Sequence, residues 1–364
     1  MPSRKRSAPE PSTNRRRSGR LSTSAQKSSY FEDSDSDNKA PAKKPRRASG
    51  QRKSVSKQAD EDQYEEDTAD EDHEEVDDEA DEDDDDAPRK VEIIPLIKMR
   101  DTGGVEYEDN KIHKNTLLFL KDLKANNQRS WLKSHDDEYR RALKDWESFV
   151  EATTQTLIEV DETIPELPVK DVIFRIYRDV RFSKIKTPYK PHFSAAWSRT
   201  GRKGPYACYY IHCEPGSSFI GGGLWHPEAE FIHKLRRSID RHPDRWRRTF
   251  DDPLFRRAFF PNVKANAGPE AVIKAFVQKN QENALKKRPM GYETTHRDIE
   301  LLKLRNYTVG TKIDADMLAK NTAQDKVKDI MRGLAGFVSF LNSVIMPDLG
   351  VDDESSEDEE DDGE

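Results

Sequence analysis

The sequence predicts an α+β fold in which a mainly antiparallel sheet is flanked by N-terminal and C-terminal helices. Apolar residues recur at helical spacing before and after a central region in which β-branched and aromatic residues are concentrated. Helices, then a run of strands, then helices are typical of this fold class. Both ends of the chain contain very few large apolar side chains, which predicts long disordered termini.

The helices that precede the sheet are predicted from apolar spacing. Asn115 is a candidate N-cap for a helix that carries Leu117, Leu120 and Leu123 on one face. A longer helix follows. Its apolar stripe consists of Tyr139, Leu143, Trp146, Val150, Thr153 and Leu157.

Four short segments in the central region have the composition of strands. They are DVIFRIY (171–177), HFSAAWS (192–198), PYACYYIHC (205–213) and the start of SSFIGGGLWHPEAEF (217–231). Gly201 and Gly204 lie between the second and third segments and predict a hairpin turn. The triple glycine Gly221–Gly223 precedes a predicted helix. It is either an anion-binding helix N-terminus or a tight turn that lets Trp225 pack.

The C-terminal third is predicted to be helical again, with a short strand, RNYTVG (305–310), joining the sheet before the last helix. This last helix has the clearest 3.6-residue period in the chain. Its apolar residues are Val327, Ile330, Met331, Leu334, Phe337, Val338, Leu341 and Ile345.

Charge divides the chain into four regions. Residues 1–57 carry a net charge of +11, residues 58–86 of −20 and residues 351–364 of −10, which leaves +11 for residues 87–350. The termini cannot bury enough apolar surface to offset their ordering entropy. We therefore predict a disordered arm over 1–86, basic over 1–57 and acidic over 58–86, a single α+β domain over 87–350, and a disordered acidic tail over 351–364.

The sequence also indicates a compartment. It has no apolar run of 18 residues and no apolar signal region near its start, so no membrane association is expected. Cys208 and Cys213 lie on opposite faces of one predicted strand, which disfavours a disulfide between them. Basic clusters at Arg4–Arg6, Arg15–Arg17 and Lys43–Arg47 are typical of nuclear import signals. A cytoplasmic protein with a merely solubilising arm is the alternative.

A cationic loop is the strongest functional signal. The stretch RIYRDVRFSKIKTPYKPH (175–192) combines cations with Pro188 and Pro191, which fix the backbone and lower the entropy lost on binding. Arginine suits phosphate or carboxylate, and lysine adds point charge. The candidate anion-binding residues are Arg175, Arg178, Arg181, Lys184, Lys186 and Lys190, with Lys286 and Lys287 in a second basic stretch. If the two stretches fold side by side, they form one basic cleft. Otherwise Asp179 pairs with a loop arginine to hold an ordinary solvated turn.

Histidines and carboxylates offer weaker signals. His192, His212 and His226 lie on or beside the predicted sheet, but no pair has the HxH or HxxxH spacing of metal ligands on one element. We therefore expect packed or hydrogen-bonded histidines and no metal site. Asp179 and His192 are acid–base candidates if the protein is an enzyme. The sequence contains neither a GxSxG elbow nor a paired cysteine and histidine.

The motifs as a whole resemble a known family. FRIYRDVRFSKIKTPYKPHF, GGGLWHP, KKRPMGY and the upstream FLKDLKANNQRSWL are similar to the bacterial and fungal family catalogued as domain of unknown function 2461, from about Asn115 to Tyr307. The resemblance implies no particular reaction, cofactor or substrate. Its motif falls on the loop cations Arg175, Arg178, Arg181, Lys186 and Lys190. It also falls on Asp179, Phe182, Ser183, Pro188, Tyr189, His192, Gly222, Gly223, Trp225, Pro289 and Gly291.

Three functions follow from these features. The first is a nuclear module whose basic cleft binds nucleic acid, chromatin or another polyanion. The second is an enzyme acting on a phosphorylated or carboxylated small molecule, with Arg175, Arg181 and Lys190 as the clamp. The third is a scaffold that binds histones or other basic proteins through its acidic arms.

Overall fold

Ten α-helices and five β-strands follow one another in the described part of the chain, which comprises residues 95–347 except Phe182 and Ala265 in a computed structural model. The helices are α1 (Lys114–Ala125), α2 (Arg129–Ser134), α3 (Asp136–Ile158), α4 (Ala229–Arg241), α5 (Pro243–Asp251), α6 (Pro253–Phe259), α7 (Pro269–Lys279), α8 (Ile299–Leu302), α9 (Ala315–Leu318) and α10 (Ala323–Ile345). The strands are β1 (Ile173–Phe174), β2 (Phe193–Trp197), β3 (Cys208–Cys213), β4 (Phe219–Leu224) and β5 (Tyr307–Lys312). The predicted α+β class is confirmed.

The strands form one sheet in the order β1-β2-β3-β4-β5, and every neighbouring pair is antiparallel. The hairpin predicted around Gly201 and Gly204 joins β2 to β3, and RNYTVG supplies β5. At one end of the sheet, called the loop end below, Phe219 pairs with both His212 and Lys312. At the opposite end Leu224 pairs with Tyr307.

The sheet has a helix face and an open face. On the helix face Trp146 of α3 stacks on Phe193 with 5.8 Å between ring centroids, and the Trp197 indole donates to the Thr154 hydroxyl at 2.9 Å. On β3, buried and half-buried residues alternate strictly, as expected when only one face is covered. Tyr210 and His212 therefore belong to the open face. By register, so do Phe174, Ser194 and Phe219.

The triple glycine lies inside β4, not at a helix N-terminus as one interpretation expected. A Cβ at Gly222 would overlap the Cys208 carbonyl oxygen and the Leu334 side chain, because β3 and α10 both approach the strand closely. The other interpretation is wrong about Trp225, which is 66% exposed and does not pack against the core. Helix α4 begins only at Ala229.

Helix α10 runs through the core. Its predicted apolar stripe is buried except for Ile330, which is half-buried, and the helix contacts both β4 and α6. One capping prediction is wrong. The N-cap of α1 is His113, whose ring Nδ1 accepts a hydrogen bond from the Asn115 N–H at 3.0 Å, so the helix begins at Lys114. Asn115 instead uses its side-chain amide to reach the Asp101 carbonyl.

Several predictions concern residues outside the described part. These are the disordered arms, the boundaries of the 87–350 domain and the three basic clusters. Both cysteines are free thiols, in agreement with the expected absence of a disulfide between Cys208 and Cys213. Among the described residues, no helix combines the length and apolar character that a membrane span requires.

Candidate functional site

The cationic loop extends the ladder between β1 and β2. The Arg178 N–H donates to the Pro188 carbonyl at 2.9 Å, and the Lys190 N–H donates to the Ile176 carbonyl at 2.7 Å. Tyr177 and Tyr189 form an isolated antiparallel bridge between the two arms. The loop therefore leaves the loop end of the sheet as a hairpin with a fixed base and does not hang free.

Asn127 anchors this hairpin to the helical layer. Its side-chain amide donates to the Tyr189 carbonyl at 2.9 Å, and its side-chain oxygen accepts from the Tyr189 N–H at 3.0 Å. The Tyr189 ring is buried and meets the Tyr177 ring edge-on. Asn127 lies between α1 and α2, so residues distant in sequence hold the loop in place.

The loop cations differ in exposure and in the contacts that orient them. Arg178 donates to the carbonyl and hydroxyl oxygens of Thr187 at 3.1 and 2.5 Å, and Lys186 donates to the Val180 carbonyl at 2.9 Å. Arg178 and Lys190 are half-buried, whereas the side chain of Arg181 is 80% exposed. The remaining predicted loop cations, Arg175, Lys184 and Lys186, are exposed.

Asp179 is committed to Arg181. The Arg181 guanidinium donates to both carboxylate oxygens at 3.2 and 3.0 Å, and the Arg181 N–H donates to one of them at 2.9 Å. Hydrogen bonds from the Arg181 side chain and backbone lower the pKa of Asp179, so it stays ionised. This geometry favours the interpretation in which Asp179 holds the turn over its acid–base candidacy.

Aromatic rings line the open face next to the loop. The ring centroids of Phe174 and Tyr210 lie 6.2 Å apart, those of Tyr210 and Phe219 5.5 Å, and those of His212 and Phe219 4.9 Å. These rings come from β1, β3 and β4, and all are half-buried, so each keeps part of its surface accessible. They form a continuous apolar platform across the sheet.

Two histidines and a carboxylate meet at the edge of this platform. The rings of His192 and His212 lie 4.0 Å apart between centroids, and His212 Nε2 lies 3.2 Å from a Glu214 oxygen. Burial, the His212 ring and the nearby cations lower the pKa of His192 to about 3, which keeps it neutral. Burial also lowers the pKa of His212. Burial alone would raise the pKa of Glu214, but hydrogen bonds from Lys124 and His212 lower it.

The loop and the open face form one site. The charges of Lys190 and Arg178 act on His192, and His192 directly precedes β2, where the loop ends. Of the predicted residues, the structure thus brings together His192, His212, Arg178 and Lys190. We refer to the open-face rings of Phe174, Tyr210, His212 and Phe219, together with the cationic loop (175–192), as the loop-end site.

The second basic stretch lies elsewhere. The Leu285 N–H donates to the Lys303 carbonyl at 2.8 Å, and His226, beside the exposed Trp225, donates its N–H to Asn306 at 2.9 Å. Lys303 and Asn306 precede β5, so these contacts belong to the end of the sheet opposite the loop. Lys286 and Lys287 are exposed there, with Pro289 buried and Gly291 at φ +85°. The two basic stretches therefore do not line one cleft.

Three contributors were missed by sequence reasoning. Glu214 shares a strand face with Tyr210 and His212 by simple alternation, so the signal was present in YYIHCE. Its contact with Lys124, at 2.6 Å, joins α1 to the end of β3 and has no local signal. The same holds for Asn127, because its partner Tyr189 lies 62 residues away.

A surface groove of about 430 Å³ lies apart from this site, between α7 and the region around α8. Its wall includes the buried carboxylate of Asp298, which pairs with Arg247 at 2.8 Å and with Arg297 at 2.8 Å. Since these pairs satisfy the buried charge, the groove offers no unused reactive group from Asp298.

Comparison with known families matches residues 115–340 to the family described as conserved hypothetical protein (DUF2461). The match starts where the motif resemblance starts and extends past Tyr307 through most of α10, so the resemblance found in the sequence is confirmed. No curated protein and no solved structure matches the chain.

Proposed function

Because the chain belongs to the DUF2461 family of conserved hypothetical proteins, whose description gives no activity, we propose a function from the site itself. The protein binds a single-stranded nucleic acid, with bases on the open face and phosphates on the cationic loop. One observation carries this proposal. The hairpin that holds the cations emerges from the same end of the sheet where the rings of Phe174, Tyr210 and Phe219 line the open face.

Bases and phosphates have different requirements, and the loop-end site offers both. Unpaired bases stack on accessible aromatic rings, and sheet faces that carry such rings are common platforms for single strands. Phosphates bind arginine forks and lysine ammonium groups. The described domain region is basic in sequence, which adds long-range attraction for a polyanion.

The anchored hairpin supports affinity by limiting the entropy lost on binding. Arg178 is already oriented by Thr187, and the base of the hairpin is held by Asn127. Groups that are ordered before the ligand arrives lose less freedom when it binds. A freely moving loop of the same charge would bind more weakly for this reason.

The charge part of the proposal is tested with oligonucleotides at several salt concentrations, using the full chain and the segment 87–350 in parallel. If about four phosphates are contacted, affinity for single strands falls roughly fiftyfold between about 50 and 200 mM salt. Arg181→Ala/Lys190→Ala should weaken binding and flatten this dependence. Lys286→Ala/Lys287→Ala removes the same amount of charge at the opposite end of the sheet. It should change the affinity and its salt dependence much less. Absence of binding at low salt by folded protein would overturn the proposal.

The stacking part has its own matched pair. Phe219→Leu removes a ring from the platform and should weaken single-strand binding by about fivefold or more. Trp225→Leu removes an exposed ring at the opposite end of the sheet and should leave affinity unchanged. Thermal melts of both variants establish that they are folded. Equal losses from the two variants would contradict a platform on the open face.

A second candidate function is suggested by the position of His192. This half-buried imidazole directly precedes β2, where the cationic loop ends, so it lies beside the cations that would clamp an anion. An enzyme acting on a phosphorylated or carboxylated small molecule fits this arrangement, with Arg175 and Arg181 as further clamp residues. A thermal-shift screen of such molecules, followed by His192→Ala, distinguishes it from the first candidate. An enzyme loses turnover but keeps ligand binding in this variant.

A further inference from the structure

His192, His212 and Glu214 share one face because of strand register. Residues 192 and 194 alternate onto the open face of β2, and residues 210, 212 and 214 alternate onto the same face of β3. Pairing of Phe193 with Cys213 brings the two sets together. One ring nitrogen of each histidine and one carboxylate oxygen lie within 4.8 Å of one another.

Each of the three side chains has an atom suited to donate electrons to a cation. A neutral imidazole has a lone pair on one ring nitrogen, and a cation bound at Nε2 of His212 would replace the hydrogen bond between this nitrogen and Glu214. Among the described residues, neither ring nitrogen of His192 has a hydrogen-bond partner. The two Glu214 oxygens contact different groups, one the Lys124 ammonium at 2.6 Å and the other His212 Nε2 at 3.2 Å. The side chains of His212 and Glu214 are only 12% and 14% exposed, which shields the cluster from bulk water.

The far side of His212 is supported as metal-binding imidazoles usually are. Its Nδ1 lies 3.3 Å from the Tyr210 hydroxyl, which leaves Nε2 directed at Glu214. Such outer partners hold the ring orientation and the tautomer of a ligating histidine.

We propose that His192, His212 and Glu214 bind a divalent transition-metal ion of the zinc class. Two imidazoles and one carboxylate suit zinc and its neighbours, whereas calcium and magnesium prefer sites made of oxygen alone. Metal–ligand bonds of about 2.1 Å put ligand atoms about 3.4 Å apart in a tetrahedral site, so a small inward rotation of the side chains suffices. Three protein ligands leave at least one position for water or an exogenous ligand.

Lys124 opposes this binding. Its ammonium group contacts the Glu214 oxygen that faces away from His212, at 2.6 Å, and its side chain is 55% exposed. Removing this cation should therefore strengthen metal binding. This proposal does not depend on nucleic-acid binding, because the metal is titrated in the absence of nucleic acid. Failure of metal binding would leave the proposed nucleic-acid binding untouched, and the reverse also holds.

The test titrates Co²⁺ and then Zn²⁺ into the full chain after chelator treatment. Four- or five-coordinate Co²⁺ absorbs visible light intensely, which separates this site from six-coordinate carboxylate binding by the acidic arms. We expect one such Co²⁺ per chain, displaced by Zn²⁺. His212→Gln and His192→Ala should weaken affinity about a hundredfold or more, and Tyr210→Phe about tenfold. His226→Ala should have no effect.

Lys124→Met is a variant that should strengthen metal binding. It should increase affinity about twofold to fivefold, while Lys121→Met, which removes the same charge from an exposed position of α1, should not. Thermal melts without metal establish that each variant is folded. The proposal is overturned if folded wild-type protein shows no intense Co²⁺ absorption. It is also overturned if that absorption survives loss of either histidine.

Discussion

At the scale of single residues, contacts between distant parts of the chain decide the site. Asn127 satisfies both backbone groups of Tyr189, and Lys124 pairs with Glu214, although nothing in the motif FLKDLKANNQRSWL, which contains both residues, indicates these partners. Single substitutions at such positions test the site without removing a cation or a ring from it.

Asn127→Ala should loosen the cationic hairpin while the domain stays folded. Loss of two side-chain hydrogen bonds should lower the free energy of unfolding by about 1–2 kcal/mol. It should also speed hydrogen exchange of the Arg178 and Lys190 amides. Asn126→Ala is the control, because that side chain bonds only to the nearby Asp122 carbonyl. Unchanged exchange in the Asn127 variant would show that the anchor does not hold the hairpin.

Asp298→Asn should lower the free energy of unfolding by about 3 kcal/mol at neutral pH, because it removes the buried charge that pairs with the largely buried Arg247 and leaves this arginine only the exposed Glu270. Burial alone would raise the pKa of Asp298, but Arg247 and Arg297 lower it. The ion pairs therefore stabilise the fold fully above the unfolded pKa of about 4 and lose their effect as the pH falls through the lower folded value.

The measurement is urea unfolding of wild type and variant at several pH values. The difference in the free energy of unfolding between wild type and variant should be constant above about pH 5. It should become smaller in more acidic solution. Glu300→Gln, which alters an exposed pair with Lys303, should cost no more than about 1 kcal/mol at any pH. A difference that widens as the pH falls would contradict the assignment.

At the scale of elements, close packing of β4 between neighbours explains a sequence feature that suggested two other structures. The strand is bounded by β3 and β5 and covered by α10, and its glycines allow this approach. At Gly222 a Cβ would lie 2.1 Å from the Cys208 carbonyl oxygen and 2.6 Å from the Leu334 side chain. Glycine here serves packing, and the anion-binding role considered from the sequence does not apply to a strand interior.

Gly222→Ala should destabilise the protein by about 3 kcal/mol or more, because backbone of β3 must move to admit the methyl group. Gly336→Ala, on the exposed side of α10 with open space around it, should stabilise by about 0.5–1 kcal/mol through helix propensity. Thermal or denaturant unfolding of the two variants measures whether their stabilities change in opposite directions. If Gly222→Ala left the free energy of unfolding unchanged, β4 would be less tightly enclosed than the structure shows.

At the scale of the whole molecule, the charge is distributed in blocks of opposite sign, so an acidic block can compete with nucleic acid for the basic domain. Residues 58–86 carry −20, against +11 for residues 87–350. We propose that this acidic arm competes with nucleic acid for the basic domain. The alternative, in which the arm itself binds histones or other basic proteins, predicts binding that no loop substitution affects.

Removing residues 58–86 should raise affinity for single-stranded oligonucleotides severalfold at low salt, and the gain should shrink as salt screens the charges. Replacing the acids of the arm by their amides at unchanged length should have the same effect, since only charge is altered. A loss of binding to histones on the same deletion, with oligonucleotide affinity unchanged, would favour the scaffold function.

The basic clusters between residues 4 and 47 motivate a proposed nuclear location. A fluorescent fusion of the full chain should be enriched in nuclei, and removal of residues 1–57 should abolish the enrichment. Alanine substitution of Lys43–Arg47 alone should reduce it. Even distribution of the intact fusion would support the cytoplasmic alternative.

The sequence alone determined what depends on neighbours along the chain. Periodicity identified α3, α10 and the strand segments, because a buried stripe imposes its own spacing on each element. It also identified the cationic loop and the family, since both are contiguous motifs. The start of α1 was predicted wrongly, because a cap such as His113 depends on a single side-chain contact.

Only the tertiary structure decided which segments meet. Strand register placed His192 against His212 and Glu214, and it separated the two basic stretches that charge alone suggested joining. It also placed the β4 glycines in the sheet and Trp225 in solvent. These outcomes depend on contacts between residues far apart in the chain, whose free energies are not encoded in any local spacing.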